Sequence, residues 1–430
     1  MKALFLTALT AALTLINSPA QGASSPAYQA LPAQNLELRQ ARWFDGQGWR
    51  QGTLFVQDGV FSAQRPARVD RVMHLQGRFL SPPLAEAHNH NLQFLRGFQQ
   101  NGPRYLHEGV FYAAMLAGDP EGVAPLRALA GRPDSPDVLF ASAVITSSYG
   151  HPIGMALADQ PPPPEPPVRY EDVADKSVLV ADSPEEVERK WPLVLRSQTD
   201  WVKLILSYHE RPDLIANPKL KGYLGMRADT AAAVVRLAHA SGLRVSAHVD
   251  SIADFGAALQ AGVDQIAHLP GYYPHHGNRI EDYLLSPELA AEAARRGVEV
   301  ITTTAVSHLF QPKPELLARI QNVQKINLRL LRQAGVKLLV GSDHFAATGL
   351  AEYRNLASLQ VFDAAELLKL ATVDTPRALF PKRRLGCFEP GCEASFLVLK
   401  TDPLRDKEAF GQVQLRVKQG HVLQALPAKN

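Results

Sequence analysis

Six side chains stand out for the chemistry they could share. His88 and His90 lie in "LAEAHNHN", one residue apart at the end of a stretch that reads as a strand. Residues i and i+2 of a strand point to the same side, so two imidazoles at this spacing can grip one metal ion. Alone, such a pair is equally a polar strand end. His248 in "VSAHVD" and His268 in "QIAHLP" each close a short apolar run. Asp343 in "LLVGSDH" does the same, and its carboxylate could ligate a metal or accept a proton. Standing by itself, Asp343 would read as a helix N-cap. Lys203 in "WVKLIL" is the odd member. A lysine inside an apolar strand is costly to bury unpaired, and as a cation it repels metal ions. Three readings are open. It snorkels outward, it pairs with an acid such as Asp343, or its amine is carboxylated. Carboxylation makes an anion with two oxygens that can bridge two metals, and only that reading suits four inward histidines.

These residues need elements that aim them at one point. The centre of the chain alternates apolar strand candidates with helical patterns. "VFYAAMLA", "DVLFASAVIT", "WVKLIL", "LRVSAHV", "DQIAHL", "VEVITTTAV" and "VKLLVGSD" are the strands, and the one that must precede His88 makes eight. The intervening helices end at Gly242, Gly262, Gly297 and Gly335, where glycine can take the left-handed cap conformation. Ser183-Pro184 with Glu186 predicts another helix start, with Glu186 completing a capping box. Repeated strand–helix units with buried strands imply a parallel sheet, and eight of them fit an α/β fold of the closed (β/α)8 kind. In such a barrel the strand C-termini converge, which is where His88, His248, His268 and Asp343 fall. "QPPPPEPPV" at 160–168 breaks the pattern, since its proline density excludes helix; it reads as a stiff excursion over the barrel mouth.

The flanks differ. Residues 36–75 and the C-terminal stretches "EASFLVLKTDPL" and "VQLRVKQGHVL" alternate with period two, which predicts a small β-sandwich domain built from both chain ends. The expected layout is 24–80 and 385–430 for that domain and 81–384 for the metal-binding barrel. Residues 1–23, with Lys2 followed by an apolar run and small residues, read as a signal peptide, an uncleaved anchor being the alternative. The protein is therefore expected to be exported, periplasmic or secreted, with no membrane association beyond export. Cys387 and Cys392 flank a Pro390-Gly391 turn and read either as a local disulfide or as two packed thiols. A net charge of +3 without a basic run gives no footprint for nucleic acid.

The sequence resembles the amidohydrolase superfamily, in particular its imidazolonepropionase-like and Xaa-Pro dipeptidase-like branch. "LSPPLAEAHNH", "WVKLIL", "SAHVD", "IAHLPG" and "VGSD" carry the resemblance, together with the tail "TVDTPRALFPKRRLGCFEPGCEASFLVLKTDPL". It spans residue 36 to the C-terminus. The family commonly has Pro-Gly before its first motif, whereas here Pro82-Pro83 precedes Leu84-Ala85-Glu86. The resemblance implies two divalent ions, zinc or alternatively manganese, held by His88, His90, His248, His268, Asp343 and a carbamate on Lys203. It further implies a shared hydroxide, with Asp343 as general base and then general acid.

The expected reaction is hydrolysis of a carbon–nitrogen bond other than an ordinary peptide bond: an amide, a cyclic amide or a dipeptide-like substrate. The alternatives are a promiscuous lactonase or phosphotriesterase, and a non-catalytic metal-binding relative. Weaker candidates for contact with the small-molecule substrate are His151 in "SSYGHP" and Tyr208 and His209 after the Lys203 strand. "YYPHHG" around His275 and His276 reads as a loop over the site. Oligomeric state is left open.

Overall fold

The computed structural model describes residues 25–427 apart from 119, 121, 142, 143 and 161–165. The leader, residues 1–23, lies outside the described residues, as does the centre of the proline-rich stretch. Eight parallel strands form the barrel. In chain order they are β1 (Leu84–Asn89), β2 (Val110–Met115), β3 (Asp137–Phe140, resuming as Val144–Thr146), β4 (Trp201–Leu206), β5 (Arg244–Val249), β6 (Gln265–Ile266), β7 (Glu299–Ile301) and β8 (Lys337–Leu339). The first part of β3 pairs with β2 and the second part with β4. A short extra strand, Val178–Val180, pairs with that second part. The barrel closes between β8 and β1, where Ala87 N donates to Val340 O at 2.8 Å and Asp343 N to His88 O at 2.8 Å. β1, β2 and β4 are buried along their whole lengths, as expected of strands covered on both faces.

The helices follow the local rules that their sequences obey. Gly262 and Gly297 terminate their helices in the left-handed conformation, at φ of 84° and 68°. Ser183 caps the helix Pro184–Arg196 by accepting from Glu186 N. The expected reciprocal half is different: Glu186 Oε2 accepts from Asp182 N at 2.9 Å, one residue earlier than a capping box requires.

Strands from both chain ends form a separate mixed sheet of nine strands. Its centre is Leu36–Phe44, antiparallel to Trp49–Gln57 and parallel to Phe79–Ser81, which in turn pairs antiparallel with Phe396–Leu399. This sheet has its own core, including Leu36, Leu38, Val56, Phe61 and Phe396. It is fastened to the barrel by a buried ionic cluster. Asp137 at the start of β3 accepts from Lys418 Nζ and from Arg383, each at 2.6 Å, and Arg383 also reaches Glu393 at 2.6 Å. Cys387 and Cys392 are joined as a disulfide with Cα atoms 5.8 Å apart.

Candidate active site

All six residues meet at the C-terminal end of the barrel. β1 delivers His88, which is fully buried, and its neighbour His90 follows at the strand end. Asp343 arrives from the segment after β8. Gly341 permits this approach, since a Cβ there would lie 2.7 Å from His88 N. Asp343 itself has a left-handed φ of 46°, a conformation disfavoured for a non-glycine residue and often kept where function needs it. Its Oδ1 lies 3.3 Å from His90 Nε2 and 3.7 Å from His88 Nε2, and its Oδ2 lies 3.7 Å from His268 Nε2. One ligand atom each from His88, His268 and Asp343 falls within 4.8 Å of the others. The His248 ring is 4.5 Å from that of His268, centroid to centroid.

The hydrogen bonds fix which ring nitrogens are free. His88 Nδ1 is 3.0 Å from the carbonyl of Ala267, which can only accept, so the proton sits on Nδ1. His90 Nδ1 faces Gln93 Oε1 at 3.0 Å in the same sense. Both Nε2 atoms are therefore lone-pair donors, yet they lie 3.2 Å apart. Two lone pairs at that distance repel unless an electrophile lies between them. His248 Nε2 contacts Asp250 Oδ2 at 3.1 Å, which leaves Nδ1 as its lone pair. His268 Nδ1 is held by Thr303 Oγ1 at 3.2 Å. Orienting partners of this kind characterise metal-binding histidines.

Charge tells the same story. Burial, aided by Lys203, holds His88 neutral well below the usual histidine range. Burial and the neighbouring His248 and His88 do the same to His268. Burial pushes the Lys203 amine down to about 7, against the opposing pull of Asp343 and Asp250. Burial disfavours ionised Asp343, but positive charge nearby, that of protonated Lys203 included, outweighs it and holds the carboxyl below its ordinary value. Lys203 Nζ and Asp343 Oδ1 are both buried without a hydrogen-bond partner among the described residues. Orphaned groups of this kind are rare in native proteins and call for an explanation. A divalent cation fits the donor set: neutral imidazoles, an ionised carboxylate and an amine that is easily deprotonated.

The three weaker candidates separate. His151 stacks on His248 at 4.9 Å, and burial lowers its pKa to about 3, so it stands beside the cluster as a neutral imidazole. Tyr208 is buried, and its hydroxyl pairs with that of Tyr283 at 2.7 Å. His209 Nδ1 pairs with the buried carboxylate of Asp254 at 2.7 Å. Both of these side chains are thus engaged by the protein itself. Sequence reasoning passed over Asp250, whose carboxylate also accepts from Ser207 Oγ at 2.5 Å and from the Tyr272 hydroxyl. It passed over Glu86, which ties β1 to the Asp343 segment by accepting from Ser342 N at 2.7 Å and Ser342 Oγ at 2.8 Å. Each had a signal, since Asp250 is two residues after His248 and Glu86 two before His88. Tyr272 opens the loop read as covering the site, and Thr303 had no signal.

A barrel whose strand ends gather four histidines, a lysine and an aspartate offers a donor set of the kind that divalent metals take. The family comparison agrees: residues 210–423 carry an Amidohydrolase family domain. No curated protein matches its sequence. Solved structures share the fold. An amidohydrolase is 22% identical with a TM-score of 0.68, covering 92% of this chain and 100% of its own. A. niger ochratoxinase is 20% identical with a TM-score of 0.68, covering 91% and 95%. A Xaa-Pro dipeptidase with methionine bound in its active site is 18% identical with a TM-score of 0.67, covering 90% and 99%. The family supports a hydrolase acting on amides or similar bonds.

Proposed function

We propose that this chain hydrolyses the carbon–nitrogen bond of a small amide, cyclic amide or dipeptide-like substrate, using two divalent ions. His88, His90, His248, His268, Asp343 and a carboxylated Lys203 would hold the ions. The observation that carries this reading is the facing pair of lone-pair nitrogens on His88 and His90, beside the unpartnered Lys203 Nζ and Asp343 Oδ1. When bound, the ions would supply Lewis acidity and bring the pKa of water near 7.

The chain's own residues do the rest. A buried lysine whose pKa is near neutrality spends much of its time as a free amine, the form that can add carbon dioxide. Asp343 is held ionised, so it can accept the proton of the attacking water and return it to the departing amine. His151, a neutral ring stacked on His248, can donate one hydrogen bond to the substrate carbonyl. The disulfide supports the reading of an exported protein.

The test is metal analysis of zinc- and manganese-reconstituted protein together with a hydrolysis screen of dipeptides, N-acyl amino acids, lactones and phosphotriesters. Two ions per chain and turnover of amides are expected. Asp343→Asn should retain much of the metal and lose about 10²–10⁴ in kcat, the usual worth of a positioned acid–base group. Fewer than one ion per chain after reconstitution would sink the proposal, and so would full activity in that variant.

A further inference from the structure

The mouth of the barrel is chemically lopsided. After β3 the chain carries His151, and after β5 the buried carboxylate of Asp250. The arc above β6 and β7 presents aromatic rings. Tyr272, after β6, lies 5.6 Å from the ring of His268. Phe310, from the 3-10 segment Thr304–Phe310 after β7, lies 6.0 Å from Tyr272 and stacks on Tyr273 at 4.5 Å with the ring planes 21° apart. His275 closes the group, 5.5 Å from Tyr272 and 5.4 Å from Phe310. The four rings form one continuous wall starting at a residue of the metal cluster. Tyr272 is buried, whereas Tyr273, His275 and Phe310 are only partly buried, so the group is not sealed inside the core.

The wall is also built to stay in place. The segment carrying Phe310 is bracketed by left-handed residues, Thr303 at φ 38° and Gln311 at φ 45°. A buried carboxylate, Glu352, pins its start by accepting from Thr304 N at 2.9 Å, Thr304 Oγ1 at 2.8 Å and Ala305 N at 2.7 Å. Gln324 donates to Ser307 Oγ at 2.8 Å from the other side. Backbone strain held by buried hydrogen bonds pre-organises a surface before a ligand arrives. Planar rings favour a planar partner, stacked or edge-on.

We infer that Tyr272, Tyr273, His275 and Phe310 form a subsite for an aromatic or similarly flat apolar group of the substrate, so that the class taken is aryl-bearing amides. This rests on the hydrolytic reading above, and the experiment separates the two. N-benzoylglycine and acetanilide are compared with N-acetylglycine as substrates of the reconstituted enzyme. In parallel, benzamide and acetamide are titrated onto the protein with and without metal and followed by ligand-observed NMR. At least one aryl substrate should exceed N-acetylglycine in kcat/KM by about tenfold or more, the scale expected for burying one ring. Benzamide should bind with or without metal and more tightly than acetamide. Phe310→Ala, and separately Tyr273→Ala, should collapse both preferences toward unity. Equal kcat/KM for aryl and acetyl substrates overturns the subsite and leaves the hydrolase standing. If no amide is turned over, the hydrolytic reading fails, and the benzamide preference with its loss in Phe310→Ala still decides the subsite.

Discussion

Asp250→Asn should disarm the metal site without touching a proposed ligand. In the native site one oxygen, Oδ2, receives both Ser207 Oγ–H at 2.5 Å and His248 Nε2–H at 3.1 Å, while Oδ1 receives Tyr272. Asparagine is isosteric, but one of its two ends is a donor. If the amide nitrogen takes the Oδ2 position, it meets the Nε2–H of His248 head on. In that orientation the clash is relieved when His248 moves its proton to Nδ1, so that Nε2 accepts from the amide. That relocation occupies the lone pair otherwise free for metal. Binding an ion then requires the proton to return and a buried donor to go unsatisfied, which costs about 1–3 kcal/mol. This agrees with the roughly 10–100-fold loss of metal affinity seen when such orienting partners are removed. Two assays read it. Chelator competition gives the zinc affinity, and 15N shifts of the imidazoles in metal-free protein give the His248 tautomer. Zinc affinity within about twofold of the parent, with the tautomer unchanged, would refute the assignment of Asp250 as the residue that orients His248.

Three further predictions concern separate parts of the molecule. Lys203→Ala should hold fewer ions per chain than the parent by elemental analysis, and bicarbonate should not restore them; parent protein supplied with 13C-bicarbonate should show a carbamate resonance that the variant lacks. Normal metal content in the variant would remove Lys203 from the bridge. The hydrogen bond to Asp254 raises the pKa of His209, so protonated His209 stabilises the fold fully below its unfolded value of about 6.5 and loses that contribution as pH rises through the folded value. The melting temperature gap between parent and His209→Gln should therefore be widest in mild acid and close with alkalinity, and a gap independent of pH would contradict the pairing. Asp137→Ala leaves Lys418 charged, buried and without its carboxylate, so chemical denaturation should show a loss of about 3–5 kcal/mol, the usual cost of breaking a buried ion pair. A loss under about 1 kcal/mol would mean that the cluster does not fasten the terminal sheet to the barrel.

What the amino-acid string determined by itself was periodic or local. Strand alternation, glycine stops and the Ser183 cap depend on residues a few positions apart, so the barrel and the two-ended sheet were readable. So were the histidines and the aspartate of the cluster, because each sits at the end of an apolar run, a position that the fold makes equivalent from one repeat to the next, and Lys203, because it is a charge inside such a run. Asp250 and Glu86 were legible in principle from the same two-residue period. Tertiary structure alone decided which nitrogen of His88 is free, because the acceptor that fixes its tautomer, the Ala267 carbonyl, comes from a distant segment, and it alone set Thr303 against the His268 ring. It alone turned His209 inward, onto a carboxylate 45 residues further along the chain. It alone brought Tyr272, Tyr273, His275 and Phe310 into one wall and pinned that wall through Glu352. Contacts between distant segments leave no spacing to read, since their geometry comes from barrel closure and from how each loop packs on its neighbour.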